Sequence, residues 1–230
     1  MLICILAWDG KKRQDEKEIT MSERIYENNQ LELVGEVSKE AVFSHEVYGE
    51  GFYLIEVKAS RTSGFTDEIP VMVSERMCNV NELYIGQRLR VTGQFRSFNR
   101  HDEKKNRLIL SVFARELELL DDMQSNLEEN SIVLDGYICK EPIYRKTPLG
   151  REIADLLIAV NRSYGKTDYI PCICWGRNAR FAGGLDVGSH VWIHGRIQSR
   201  EYLKKLSDAE SEKRVAYEVS VSKVEVVDEY

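Results

Sequence analysis

The chain has 230 residues, 43% apolar and 30% charged, with a formal net charge of −6. This mixture leaves material for two small cores and excludes a fibrous or low-complexity chain. The acidic balance argues against a uniformly basic polyanion binder, and an odd five cysteines without a CxxC pair exclude a disulfide framework.

The first segment, Met1 to Trp8, is apolar but too short to span a bilayer, and it runs directly into Lys11-Lys12-Arg13. It carries no basic region of the kind that opens a secretory signal, so a cytoplasmic protein without a membrane segment is expected. Lys17-Glu18 can be encoded AAG-GAG, a purine-rich ribosome-binding sequence, and two codons of spacer then lead to Met21. Translation is therefore expected to start at Met21, with residues 1–25 a leader outside the folded part.

Alternating apolar and polar residues follow in Leu31–Val37, Gly51–Ala59, Gln87–Ser97 and Leu108–Leu120, the signature of strands with one buried face. An acidic stretch then separates a second set: Ser131–Lys140, Ile153–Asn161, Tyr169–Trp175, Ser189–Tyr202 and Val215–Val227. Between the third and fourth of these lies Gly176-Arg-Asn-Ala-Arg-Phe-Ala-Gly183, a short helix ending at the paired glycines Gly183 and Gly184.

The two sets are copies. Arg61, Gly64, Thr66, Asp67, Ile69 and Pro70 recur as Arg162, Gly165, Thr167, Asp168, Ile170 and Pro171, and Gly35 recurs as Gly136. Gly86 and Gly93 recur as Gly188 and Gly195, one residue further on. A slowly growing offset means short loop insertions in a duplicated unit. The expected fold is all-β: two tandem five-stranded OB-fold barrels, each with a short helix after its third strand. A small β-sandwich gives similar signals. The domains run from 26 to 122 and from 130 to 230, joined by a linker at 123–129.

Charge divides the copies. Residues 21–129 hold 13 Lys and Arg against 20 Asp and Glu, whereas residues 130–230 hold 15 against 14. The second unit is thus better suited to meet phosphates. Its strand patterns also place rings among cations. In Val191–Tyr202 the odd positions are apolar, and the even ones are Trp192, His194, Arg196, Gln198, Arg200 and Tyr202. In Tyr169–Trp175 one face carries Tyr169, Pro171, Ile173 and Trp175, and the other carries Ile170, Cys172 and Cys174. Rings that stack on bases beside cations that hold the backbone make a platform for single-stranded nucleic acid. Cys172 and Cys174 read as small core residues. No second ligand pair accompanies them, so neither a metal nor another cofactor is expected. The histidines stand singly or in strands, and no phosphate loop, nucleophile elbow or zincin motif occurs, so an enzyme is not expected.

With these residues in view, the second unit resembles the bacterial single-stranded DNA-binding protein family. The resemblance rests on Thr167-Asp-Tyr169, Trp175-Gly-Arg-Asn-Ala179, Gly188-Ser-His-Val-Trp-Ile-His-Gly-Arg-Ile197 and Tyr217-Glu-Val-Ser-Val221. It implies four stacking positions, which fall on Tyr164, Tyr169, Trp175 and Tyr202. Arg162, Arg177, Trp192, His194, Arg196 and Arg200 complete the expected interface. The corresponding positions of the first unit are Ser63, Glu68, Ser74 and Arg100, so its face is expected to be degenerate, with Arg90, Arg96, Phe98 and Arg100 left for weak backbone contacts.

The resemblance further implies sequence-independent binding of single-stranded DNA in replication, recombination or repair, near the nucleoid. It also implies a homodimer that brings four OB domains together. No counterpart of the family's acidic recruitment tail is expected, since Val227-Asp-Glu-Tyr230 directly follows the last expected strand. A rival reading is a replisome or primosome accessory module whose aromatic face meets protein, or RNA.

Overall fold

A computed structural model describes residues 28–102, 105–121, 128–205 and 211–227. The expected leader, most of the 123–129 linker and residues 228–230 lie outside these. The described chain is all-β, as the alternation requires. The first unit contains β1 (Asn29–Val37), β2 (Val42–Val47), β3 (Glu50–Ser60), β4 (Thr66–Ser74), β5 (Arg88–Asp102) and β6 (Lys105–Leu119). The second contains β7 (Glu129–Ile138), β8 (Ile143–Lys146), β9 (Glu152–Asn161), β10 (Thr167–Trp175), helix α1 (Arg177–Ala182), β11 (His190–Lys205) and β12 (Ser211–Val226).

Each of the nine strands expected from alternation is present. Three more were not anticipated. β2 and β8 are exposed along their whole length, so burial imposes no alternation on their sequences. β4 begins Thr-Asp-Glu and contains Pro70, which weakens its strand signal. The proline is accommodated because β6 pairs with β4 only at Val71 and Met72, just beyond it. The helix expected in both units is six residues long in the second unit, while the matching place in the first holds a single 3-10 turn at Val80–Glu82.

The pairing path is the same in both units. β1 pairs with β5 along Leu31–Glu36 and then turns to β3 at Glu36 and Val37, while β4 and β6 run parallel. β7 repeats this with β11 and β9, and β10 runs parallel to β12. Each path returns to its starting strand, so the alternate residues that face inward fill a closed core. Leu33, Ile55, Ile69, Leu89 and Phe95 do so in the first unit, and Leu134, Ile158, Ile170, Ile193 and Ile197 in the second, none more than 1% exposed. Cys172 and Cys174 belong to this second core, and burial pushes the Cys174 thiol up to about 12.

The repeated glycines mark two constraints of this geometry. Gly86 and Gly188 have φ of 92° and 93°, a left-handed turn that admits little else. Gly93 and Gly195 lie where β5 and β11 bend at a register shift against β6 and β12. A Cβ on Gly195 would stand 2.5 Å from Ser220 O. Gly195→Ala should therefore cost about 1–3 kcal/mol of stability, measurable as a lower denaturation midpoint, whereas Gly184→Ala, with 3.6 Å of room, should be mild.

The units join through their first strands. β1 and β7 pair antiparallel from Asn29↔Leu134 to Val34↔Glu129, giving one continuous twelve-stranded sheet. β2 and β8 form its two outer edges. Among the described residues no helix is long and apolar enough to cross a membrane.

Candidate nucleic-acid interface

The site grows from the parity of β10. Asp168, Ile170, Cys172 and Cys174 turn inward and are buried. Tyr169 and Trp175 stand at the two ends of the outward face, 41% and 39% exposed, while Ile173 between them is covered. Six residues of extended chain separate the rings by about 20 Å. At the Trp175 end, Gly176 turns the chain into α1, which tucks Ala179 and Ala182 into the core and leaves Arg177 exposed. Asn178 fastens the helix by donating to Ser222 O at 2.9 Å.

The outward face of β10 continues across β12 to the outer half of β11. Ile173 aligns with Ser220, Ser220 with Arg196, and Arg214 with Tyr202. Tyr202 is 37% exposed on this surface. Arg200 beside it is exposed, its Nε 3.6 Å from Glu218 Oε1. No ring contact is recorded among the described residues for Tyr169, Trp175 or Tyr202, so their faces are not stacked on another protein ring. Tyr164 lies in the 3-10 turn just before β10, and its side chain is outside the described part, as is that of Arg100.

The other expected residues are placed differently. Arg162 Nε is 3.1 Å from the buried Asp168, and Arg196 Nη1 is 3.6 Å from Asp67. Both are drawn toward carboxylates at the junction of the units. Trp192 and His194 lie past the register shift, beside Asp135 and Val133 of β7 and Glu225 and Lys223 of β12. Their rings meet edge to face at 4.2 Å. Register therefore separates them from Trp175. In the first unit Arg90 occupies the matching place, held between Glu32 at 3.1 Å and Glu118 at 2.7 Å.

The corresponding face of the first unit is not free of rings. His45 stacks on Phe52 at 5.1 Å, Phe52 on Phe113 at 6.0 Å, and the Arg96 guanidinium lies 4.0 Å over Phe113. Phe98 is exposed further along the same strand. Phe52 aligns with Ser74 across β3 and β4, so a ring has moved to the neighbouring strand rather than vanished. Alternation within Gly51–Ala59 and Leu108–Leu120 puts Phe52 and Phe113 on faces, but their meeting needs the β4–β6 pairing. These rings cover one another, unlike those of β10.

Among the described residues no group of three or more His, Cys, Asp or Glu side chains is placed to hold a metal ion. Residues 129–227 match the model of the single-strand binding protein family. Among curated proteins, single-stranded DNA-binding protein 2 of Listeria innocua and single-stranded DNA-binding protein A of Bacillus subtilis are each 38% identical over 80 residues. Those residues are 32% of this chain and 50% and 46% of the relatives. The chain thus spans about half the length of the curated relatives it matches. Wild-type single-stranded DNA binding protein from Thermus aquaticus superposes with a TM-score of 0.69 over 88% of this chain and 94% of that one, at 20% identity, which shows a common fold. The likeness to the single-strand binding protein family thus lies in the second unit, over residues 129–227.

Proposed function

We propose that the chain binds single-stranded DNA without sequence preference, by stacking bases on Tyr169, Trp175 and Tyr202 while Arg177 and Arg200 meet the backbone. The observation that carries this is the outward face of β10, with an exposed, unstacked ring at either end, continuous through β12 with Tyr202. Tyr164, in the turn before β10, is included as a fourth stacking position. We read each closed pairing path as an OB barrel, with domains at 26–122 and 130–230. The first is the weaker binder because its rings stack on each other. The sheet face with Trp192 on one unit and the paired Arg90 on the other is read as the seam of a homodimer carrying four such barrels. The cellular role is read as replication, recombination or repair in the cytoplasm.

Titration with poly(dT) at two salt concentrations tests the function. Intrinsic tryptophan fluorescence is expected to be quenched. The log of the binding constant should fall with log salt by about 0.7 for each phosphate neutralised. Quenching by poly(dT) with no salt dependence, or no quenching at all, would contradict the reading. The second of these outcomes is what an apolar protein-binding face would give.

A further inference from the structure

The duplicated Arg–Asp pair takes no part in stacking, yet its carboxylates, Asp67 and Asp168, are buried at the junction of the units. β11 is bonded to β7 only from His190 to Gly195. Beyond that point side chains complete its edge. Asn130 donates to Ile197 O at 2.8 Å and accepts from Ile197 N–H at 2.9 Å. Two residues further the partner comes from the first unit. Asp67 Oδ1 accepts Ser199 N–H at 2.6 Å and the Ser199 hydroxyl at 2.9 Å, while Arg61 donates to Ser199 O at 3.1 Å. Acceptor and donor are offered to one residue's N–H and C=O, as a neighbouring strand would offer them. Arg61 also donates Nε–H to Asp67 Oδ2 at 2.7 Å, which fixes the pair.

The first unit reaches the ring-bearing strand too. Ser97 of β5 donates its N–H to Asp168 Oδ1 at 2.6 Å and accepts Tyr169 N–H on its hydroxyl at 2.8 Å. Tyr169 and Ser199 are thus both held by backbone contacts from the other unit. Past Ser199, β11 pairs only with β12, out to Lys205↔Ser211. A two-stranded ribbon is marginal in water, and Tyr202 stands three residues along it.

We infer that Arg61, Asp67 and Ser97 are positioning residues. They clamp the backbones of Ser199 and Tyr169, setting Tyr202 and Tyr169 at the separation an unpaired strand requires. The first unit then contributes to binding mainly by holding the second unit's surface in place. This rests on the function proposed above.

The test uses the full chain with Asp67→Asn, which keeps the shape and removes the charge, and with Ser97→Ala, which alters no charge. Amide hydrogen exchange is read on the free protein, and poly(dT) affinity is read with and without Tyr202→Ala. Exchange at residues 199–202 is expected to quicken roughly tenfold in Asp67→Asn, while residues 170–175 stay protected. Affinity should fall several-fold, and Tyr202→Ala should then cost less than in the wild type, with the cost of Trp175→Ala unchanged. Ser97→Ala should quicken exchange at Tyr169 instead. Unchanged exchange together with an undiminished Tyr202 effect would overturn the clamp. Quickened exchange in a chain that ignores poly(dT) from the start would overturn the proposed function instead, because the exchange arm needs no DNA.

Discussion

Replacing Trp175 with alanine is expected to weaken oligo(dT) binding by about 1–3 kcal/mol, the worth of one stacked base, while the fold stays intact. The ring is 39% exposed at the end of β10 and stacks on no other ring among the described residues, so its truncation is felt at the surface rather than in the core. Its neighbour Cys174 turns inward and carries the packing. The substitution should also remove most of the fluorescence quenching, because Trp192, the other tryptophan among the described residues, lies past the register shift with its ring against His194. Trp192→Phe should leave both affinity and quenching nearly as they are. Equal losses from the two substitutions would mean that the strand of nucleotides runs over a different surface.

The second large effect concerns stability. Asp67→Ala should cost about 3 kcal/mol, near the lower end for breaking a buried ion pair, because Arg61 keeps 22% of its surface in water while Asp67 has none. Two bonds from Ser199 are lost as well. The sign with pH can be worked out. Burial by itself would raise the Asp67 value, but the bonds from Arg61 and Ser199 outweigh it and hold the carboxyl below its usual 3.8. Its stabilisation is therefore present above that value and is lost as pH falls below it. Asp168 goes the other way. Burial dominates there and raises its value, so its contribution is full below the usual value and declines as pH rises through the raised one. Acid sensitivity from this pair thus belongs to Asp67, and Asp67→Asn should flatten the acid limb of a denaturation-midpoint profile. An acid limb as steep as that of the wild type would refute this assignment.

Much of the fold was legible because burial of one strand face imposes period two on sequence. That rule located β10 and β11 and separated Tyr169 and Trp175 from Cys172 and Cys174. It failed at β2 and β8, which bury nothing. It also grouped Trp192 with Tyr202. β11 is sixteen residues long and passes a register shift, so a single parity crosses two different surfaces. The duplication was plain in Arg61 and Asp67 against Arg162 and Asp168, but its purpose was not. Asp67 meets Ser199 across 132 positions of sequence, and only the β1–β7 seam brings them together. The ring ladder His45, Phe52 and Phe113 was missed for the same reason, since its members come from three strands.

Photocrosslinking of the full chain to an oligo(dT) carrying 5-iodouracil tests the central claim most directly, because the adduct names the residue beneath the base. Adducts are expected at Trp175, Tyr169 and Tyr202, and they should be competed away by unlabelled single strands but not by duplex. Adducts confined to Phe52, Phe98 or Phe113 of the first unit, or to Trp192, would contradict the assignment of the β10 face.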